Sequence, residues 1–123
     1  MNSLSISPTE NSPLIDFSPD SGEMIIEGKC YPENTFDFFE PIVEWLKAYF
    51  ESLAKKTCFH FKLTYFNSAT TQVLFDILDL INEHAGPNIK VLWYYDPNNK
   101  NGYEDYEDYS EEYPDLGIEA VEK

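Results

Sequence analysis

The feature that most narrows the possible folds is a change of hydrophobic period inside one continuous stretch. Residues 57–66 (Thr-Cys-Phe-His-Phe-Lys-Leu-Thr-Tyr-Phe) are dense in aromatic side chains, threonine and leucine, which suit a pleated, buried ladder. From Ala69 the period lengthens. Val73, Leu74, Ile77, Leu78 and Ile81 fall at i, i+1, i+4, i+5 and i+8 and make a single helical stripe. Between the two lie Asn67 and Ser68, short oxygen-bearing side chains of the kind that accept from the first unpaired N–H groups of a helix. Ser68 therefore reads in two ways. It is an ordinary helix cap, or it is a hydroxyl placed where the positive end of a helix favours a phosphate. On a helical wheel Ser68, Thr71, Gln72, Phe75, Asp79 and Asn82 share the face opposite the core stripe. An apolar Phe75 on that polar face suggests a surface that something else covers.

The flanking sequence extends this strand-to-helix unit in both directions. Residues 1–12 are polar and rich in serine and read as a disordered tail. Pro13–Phe17 and Glu23–Cys30 read as two strands joined by a Ser18-Pro19-Asp20-Ser21-Gly22 turn, a hairpin, with Gly28 a candidate bulge. After Tyr31-Pro32-Glu33, a helix is capped by Asn34 or Thr35, with Asp37 in its first turn. Phe39, Val43, Leu46, Phe50 and Leu53 form its core stripe, and Phe38, Trp45 and Tyr49 form a flank that the C-terminal segment is expected to cover. Pro41 either starts or kinks this helix. The second helix runs to about Ala85 and is stopped by Gly86-Pro87. Asn88–Asp96 is a further strand. Two strand–helix–strand crossovers in succession require parallel pairing.

Beyond the Pro97–Gly102 loop, Tyr103, Tyr106, Tyr109 and Tyr113 recur at spacings of three, three and four among Glu and Asp. That spacing predicts a helix with one tyrosine edge and an acidic outer face. Leu116–Val121 is a candidate last strand. The expected architecture is α/β: a four- to five-stranded mixed sheet with two main helices on one face, plus an acidic C-terminal helix. In this reading residues 13–97 are one folded domain, and 98–123 an acidic, tyrosine-rich segment packed on it.

Charge and motif content exclude several function classes. The chain carries 23 acidic against 8 basic residues, a formal net charge of −15, which opposes nucleic acid and anionic membrane surfaces. No segment reaches the roughly 18 apolar residues of a membrane span. The N-terminus lacks the basic start and apolar run of an export signal, so a cytoplasmic location is expected, with Cys30 and Cys58 as buried thiols. Asp96-x-Asn98-x-Lys100 fails as a calcium loop, since lysine stands at the fifth place and the glycine is one place late. His60 and His84 stand alone, and no Cys/His cluster has zinc spacing. No glycine-rich phosphate loop and no paired nucleophile and base are present. Neither a metal, a cofactor nor a catalytic centre is expected.

Strand, Asn-Ser and helix in this order resemble the phospho-switch of STAS-type anti-sigma-factor antagonists, in which an Asp-Ser pair opens a helix. A closer resemblance is to the SiaC family of bacterial regulatory phosphoproteins. It is carried by Cys30-Tyr31-Pro32-Glu33-Asn34, Glu44-Trp45-Leu46, Tyr65-Phe66-Asn67-Ser68, Phe75-Asp76-Ile77-Leu78-Asp79 and Trp93-Tyr94-Tyr95-Asp96. The resemblance covers most of residues 13–97 and implies a STAS-like fold. It also implies that Ser68 is the phosphoacceptor, with Thr70 and Thr71 as nearby competitors; the helical wheel then makes Asn67, Ser68, Thr71, Gln72, Phe75 and Asp79 the expected partner-binding face. The implied partners are a kinase and a PP2C-like phosphatase acting on Ser68, and a diguanylate cyclase activated by the unphosphorylated form in cyclic di-GMP and biofilm signalling. Two other classes stay open on the residues alone: an unregulated acidic interaction or inhibitor domain built on 103–113, and a small carboxylate enzyme.

Overall fold

The structure, a computed structural model, describes residues 1–52 and 55–123, with the backbone alone at Lys100. Six strands form one mixed sheet in sequence order: β1 (Leu4–Ile6), β2 (Leu14–Ser18), β3 (Glu23–Cys30), β4 (Thr57–Phe66), β5 (Ile89–Tyr95) and β6 (Glu119–Glu122). β1 with β2 and β2 with β3 pair antiparallel. β3 to β6 are parallel, joined by α1 (Thr35–Glu51), α2 (Ser68–Asn82) and α3 (Lys100–Glu112). Three successive crossovers of one hand place all three helices on one face. Ile15, Phe17, Met24, Ile26, Phe59, Phe61, Val91 and Trp93 project into that layer and are buried.

The expected four or five strands become six because both ends of the chain add an edge. The N-terminal residues expected to be disordered instead pair Leu4 with Phe17 and Ile6 with Ile15. Two apolar residues one pleat apart suffice when a formed sheet already offers an open edge. The Trp45 indole N–H donates to the Asn2 carbonyl at 3.0 Å, and the Trp45 ring packs on Phe17. The flank of α1 is therefore met by the N-terminal segment, not by the C-terminal one. At the other end a 3-10 turn, Pro114–Leu116, leads into β6, which pairs with β5.

Helix α1 runs unbroken through Pro41 and is capped by Asn34, whose side chain accepts from Asp37 N. Its buried stripe is Phe39, Ile42, Leu46, Tyr49 and Phe50. Tyr49 thus belongs to the core and not to the flank, and its hydroxyl pairs with the Thr57 hydroxyl at 2.7 Å. Val43 is only half-buried, and the expected core residue Leu53 lies outside the described residues. All five residues of the expected α2 stripe are buried.

The bulge anticipated at Gly28 is present. Between Gly28 and Lys29 the register slips, so that Gly28 faces Leu63 while Lys29 faces Tyr65. Thr64 is the extra residue. The slip reverses the alternation of β4, turning Phe66 toward the helices beside Trp93 and Tyr65 outward, 56% exposed. Gly22, at φ +76°, closes the β2–β3 turn against the backbone of Lys56, where an added Cβ would run into the carbonyl oxygen. Gly22→Ala is expected to lower stability by about 3 kcal/mol, from left-handed strain plus overpacking. Gly86→Ala, with nothing within 4 Å of its Cβ position, is expected to stay within about 0.5 kcal/mol of wild type. Urea unfolding of the two variants checks the contrast.

Candidate functional site

The junction of β4 and α2 lies at the carboxyl ends of the parallel strands, where open α/β sheets form their crevices. Its geometry is set by three adjacent side chains with different tasks. Asn67, extended at φ −94° and ψ 179°, is the N-cap, and its side chain accepts from Thr70 N at 3.0 Å. Ser68 is consequently the first residue of the helix and not its cap, as the capping interpretation required. Asn67 lies one residue earlier, and its carbonyl reaches the same N–H group that a capping serine would have served.

Thr70 is fully buried. Its hydroxyl donates to the Cys30 carbonyl at 3.0 Å and lies 3.5 Å from the Cys30 sulfur. Burial lifts the Cys30 thiol to about 11, and the Thr70 hydrogen bond partly opposes this. Thr71 is half-buried, and its hydroxyl donates back to the Asn67 carbonyl at 3.2 Å. Ser68 alone of the three hydroxyls faces solvent. It makes no side-chain hydrogen bond among the described residues. Thr70 thus ties the helix start to the end of β3, and Thr71 closes back on the N-cap residue.

Of the six residues of the expected partner face, Asn67, Ser68, Thr71 and Gln72 cluster at the open first turn. Phe75 and Asp79 do not remain free with them, because α3 lies across that part of α2. Phe75 packs on Tyr109 and Tyr113 at ring separations of 5.0 and 6.4 Å. The Tyr113 hydroxyl lies 2.6 Å from the Asp79 carboxylate and 3.0 Å from the Phe75 carbonyl. Burial is the leading cause that pushes both phenols far above their ordinary range, joined by Asp105 and Asp108 at Tyr109 and by the Asp79 contact at Tyr113. The apolar Phe75 on a polar face is covered by the chain's own C-terminal helix.

The sequence reading missed the opposite wall of the site. A hollow of about 380 Å³ is bounded by Tyr65, Phe66, Asn67, Ser68 and Thr71 on one side and by Asn101, Gly102 and Asp105 on the other. Beside it Lys29, Tyr31, Tyr65 and Asn67 line a shallower depression, with Tyr31 and Tyr65 edge to face at 5.5 Å. Tyr65 was legible only as a strand residue. The bulge that turns it out depends on pairing with β3.

Asp105 sits in this wall with its carboxyl raised to about 6, by burial first and then by Asp108 and Glu104. A carboxyl whose pKa is higher folded than unfolded binds its proton more tightly in the native state. Stability therefore falls as pH rises from about 4 through 6, and the full cost is present above that window. Asp105→Asn is expected to gain about 1 kcal/mol at pH 8, after allowance for solvent screening of a partly exposed group, and little or nothing at pH 4. Thermal unfolding at the two pH values measures the difference.

Comparison with known proteins accords with this geometry. A protein of Pseudomonas aeruginosa strain UCBPP-PA14, described as uncharacterized, is 27% identical over 114 residues, 91% of this chain and 90% of the relative. Apo-SiaC from Pseudomonas aeruginosa superposes with a TM-score of 0.82 at 25% identity, covering 100% of this chain and 99% of the other. SiaC bound as activator to the diguanylate cyclase SiaD from the same organism gives a TM-score of 0.84 at 26% identity, over 97% of each chain. Residues 6–123 match the SiaC family regulatory phosphoprotein, and with so nearly the whole length matched, this chain belongs to the SiaC family.

Proposed function

We propose that the chain is a phosphorylation-controlled partner switch, with Ser68 as phosphoacceptor and a diguanylate cyclase as the effector bound and activated by the unphosphorylated form. The observation that carries this reading is the exposed, unengaged Ser68 hydroxyl at the first position of α2, in a family of regulatory phosphoproteins. The likeness to SiaC in complex with the cyclase SiaD supports the choice of effector. In this reading the chain is a binding module and not an enzyme. A kinase adds the phosphate and a PP2C-like phosphatase removes it.

The physics of the switch follows from position. A phosphoserine brings about −1.5 to −2 charges to the first turn of α2. The helix N-terminus tolerates an anion there, and the Asn67 and Thr70 hydrogen bonds that anchor the helix do not involve Ser68. The fold is therefore retained. The hollow is changed: the phosphate stands opposite Asp105 in a chain already at −15, and bulk and charge both oppose a partner seated on the first turn.

The alternative, an unregulated interaction domain built on the tyrosine edge of 103–113, loses ground because Tyr109 and Tyr113 point into the core. For the same reason, truncation at Gly102 does not separate the two readings, since it would strip Phe75 and Trp93 of their cover. Glu107→Gln with Glu111→Gln, both on the exposed side of α3, provides the cleaner test. Cyclase binding within twofold of wild type is expected, and a tenfold loss would favour the acidic-helix reading.

Incubation with ATP and the cognate kinase, followed by intact mass and site mapping, is expected to show one phosphate on Ser68 and none on Ser68→Ala. The phosphorylated chain and Ser68→Asp are expected to bind the cyclase at least tenfold more weakly, with a melting temperature within a few degrees of wild type. Binding as tight as wild type by Ser68→Asp or by the phosphorylated chain, or a collapsed melting temperature on phosphorylation, would sink the switch.

A further inference from the structure

The helix-free face of the sheet carries a second constellation, remote from Ser68. Cys58 and His60 stand one pleat apart on β4 and so share a face. The parallel register sets Glu23 of β3 directly against Cys58. The Cys58 sulfur, a His60 ring nitrogen and a Glu23 carboxylate oxygen all lie within 4.8 Å of one another. Residues 35 positions apart in sequence are thus gathered by strand pairing alone, which is why ligand spacing along the chain does not show them.

We propose that Glu23, Cys58 and His60 form a three-ligand site for a borderline-soft divalent cation, zinc foremost. Thiolate, imidazole and carboxylate are the donor types zinc takes, and three protein ligands with a fourth position left to water is a familiar arrangement. Bond lengths of about 2.0–2.3 Å place tetrahedral donors about 3.5 Å apart, so small side-chain rotations draw the three atoms in. Glu23 and Cys58 also line a solvent-reaching hollow of about 350 Å³ between the β2–β3 turn and Lys90, which provides the ion's route in.

The surroundings favour the cation. The Tyr94 hydroxyl lies 3.0 Å from His60 Nδ1, and His60 Nε2 lies 2.6 Å from the Glu23 carboxylate. Without an ion, Nε2 faces an acceptor-only carboxylate and donates its hydrogen to Glu23. On binding, the imidazole carries its proton on Nδ1 and donates it to the Tyr94 oxygen, releasing the Nε2 lone pair to the metal. This hydrogen bond from the far ring nitrogen is the outer-shell support that ligating histidines require. The Cys58 proton passes to solvent. Two of the nearby cations are engaged, Lys90 with Glu119 at 3.5 Å and Lys62 over the Tyr94 ring at 4.9 Å, while Lys56 lines the same hollow. A carboxylate and a thiolate together match the ion's two charges.

The test uses the full chain, reduced and freed of metal by chelation, titrated with cobalt(II) and then zinc(II). One equivalent of cobalt is expected to produce tetrahedral visible bands and a sulfur-to-cobalt charge-transfer band, all erased by one equivalent of zinc. Zinc is also expected to raise the melting temperature of wild type and not of Cys58→Ser. Cys58→Ser is expected to remove the charge-transfer band, and His60→Gln to weaken binding at least tenfold. Glu27→Gln, which removes a carboxylate from the same sheet face outside the trio, is expected to bind as wild type. The proposal is overturned by the absence of a charge-transfer band, or by a band that survives Cys58→Ser. It is equally overturned by weak binding shared by all variants and lost in salt, which would be condensation on an acidic surface. Circular dichroism of each variant confirms that a lost site is not a lost fold.

Discussion

The structure depends first on the buried bond between the Thr70 hydroxyl and the Cys30 carbonyl at the end of β3. A helix leaving a parallel strand has unpaired N–H groups at its start and nothing inherent to set its direction. Asn67 satisfies Thr70 N from one side, while the Thr70 side chain satisfies the last carbonyl of the neighbouring strand from the other. A buried, fully partnered hydroxyl of this kind costs several kcal/mol to break without replacement and so holds one geometry. That geometry turns the residue two positions earlier outward. The exposure of Ser68 is a consequence of what Thr70 is made to do.

A second layer of constraint comes from the C-terminal helix. The far half of its tyrosine edge is part of the core, with Tyr109 on Trp93 and Phe75, and Tyr113 reaching back to Asp79, while Tyr103 stays exposed. The acidic outer face solvates a helix whose inner edge supplies apolar area and two hydroxyls. This lid completes the hollow beside Ser68 and brings Asp105 to its wall. The local field near Ser68 is therefore set partly by a segment far away in sequence. A phosphate placed on Ser68 would meet that field before it met any partner.

The two faces of the sheet divide the chemistry. The helix-covered face is packed with aromatic rings and carries the exposed Ser68 at its rim. The open face presents Cys58, His60, Glu23 and Tyr94 on adjacent strands. The proposed switch draws on the first. The cation site is a property of the second, and because β3 and β4 also carry Cys30 and the strand leading to Asn67, the same two strands serve both.

Much of this was legible in the chain before folding. The strand over 57–66 and the helical stripe of Val73, Leu74, Ile77, Leu78 and Ile81 were readable because hydrophobic period is a local property, set by where successive Cβ atoms point. The parallel crossovers followed from element order, and the bulge from Gly28. Four matters were decided only by tertiary contact. Leu4 and Ile6 pair because β2 leaves an edge open, which two apolar residues in a polar tail do not reveal. Tyr65 turns outward because the slip against β3 reverses its strand. Phe75 is covered because α3 folds back on it. Ser68, not Thr70, is the free hydroxyl because Asn67 caps the helix and the bond to Cys30 uses up the threonine. Periodicity determines which face of an element is apolar; which neighbour covers that face, and which hydroxyl is left over, depends on register and packing between residues distant in sequence.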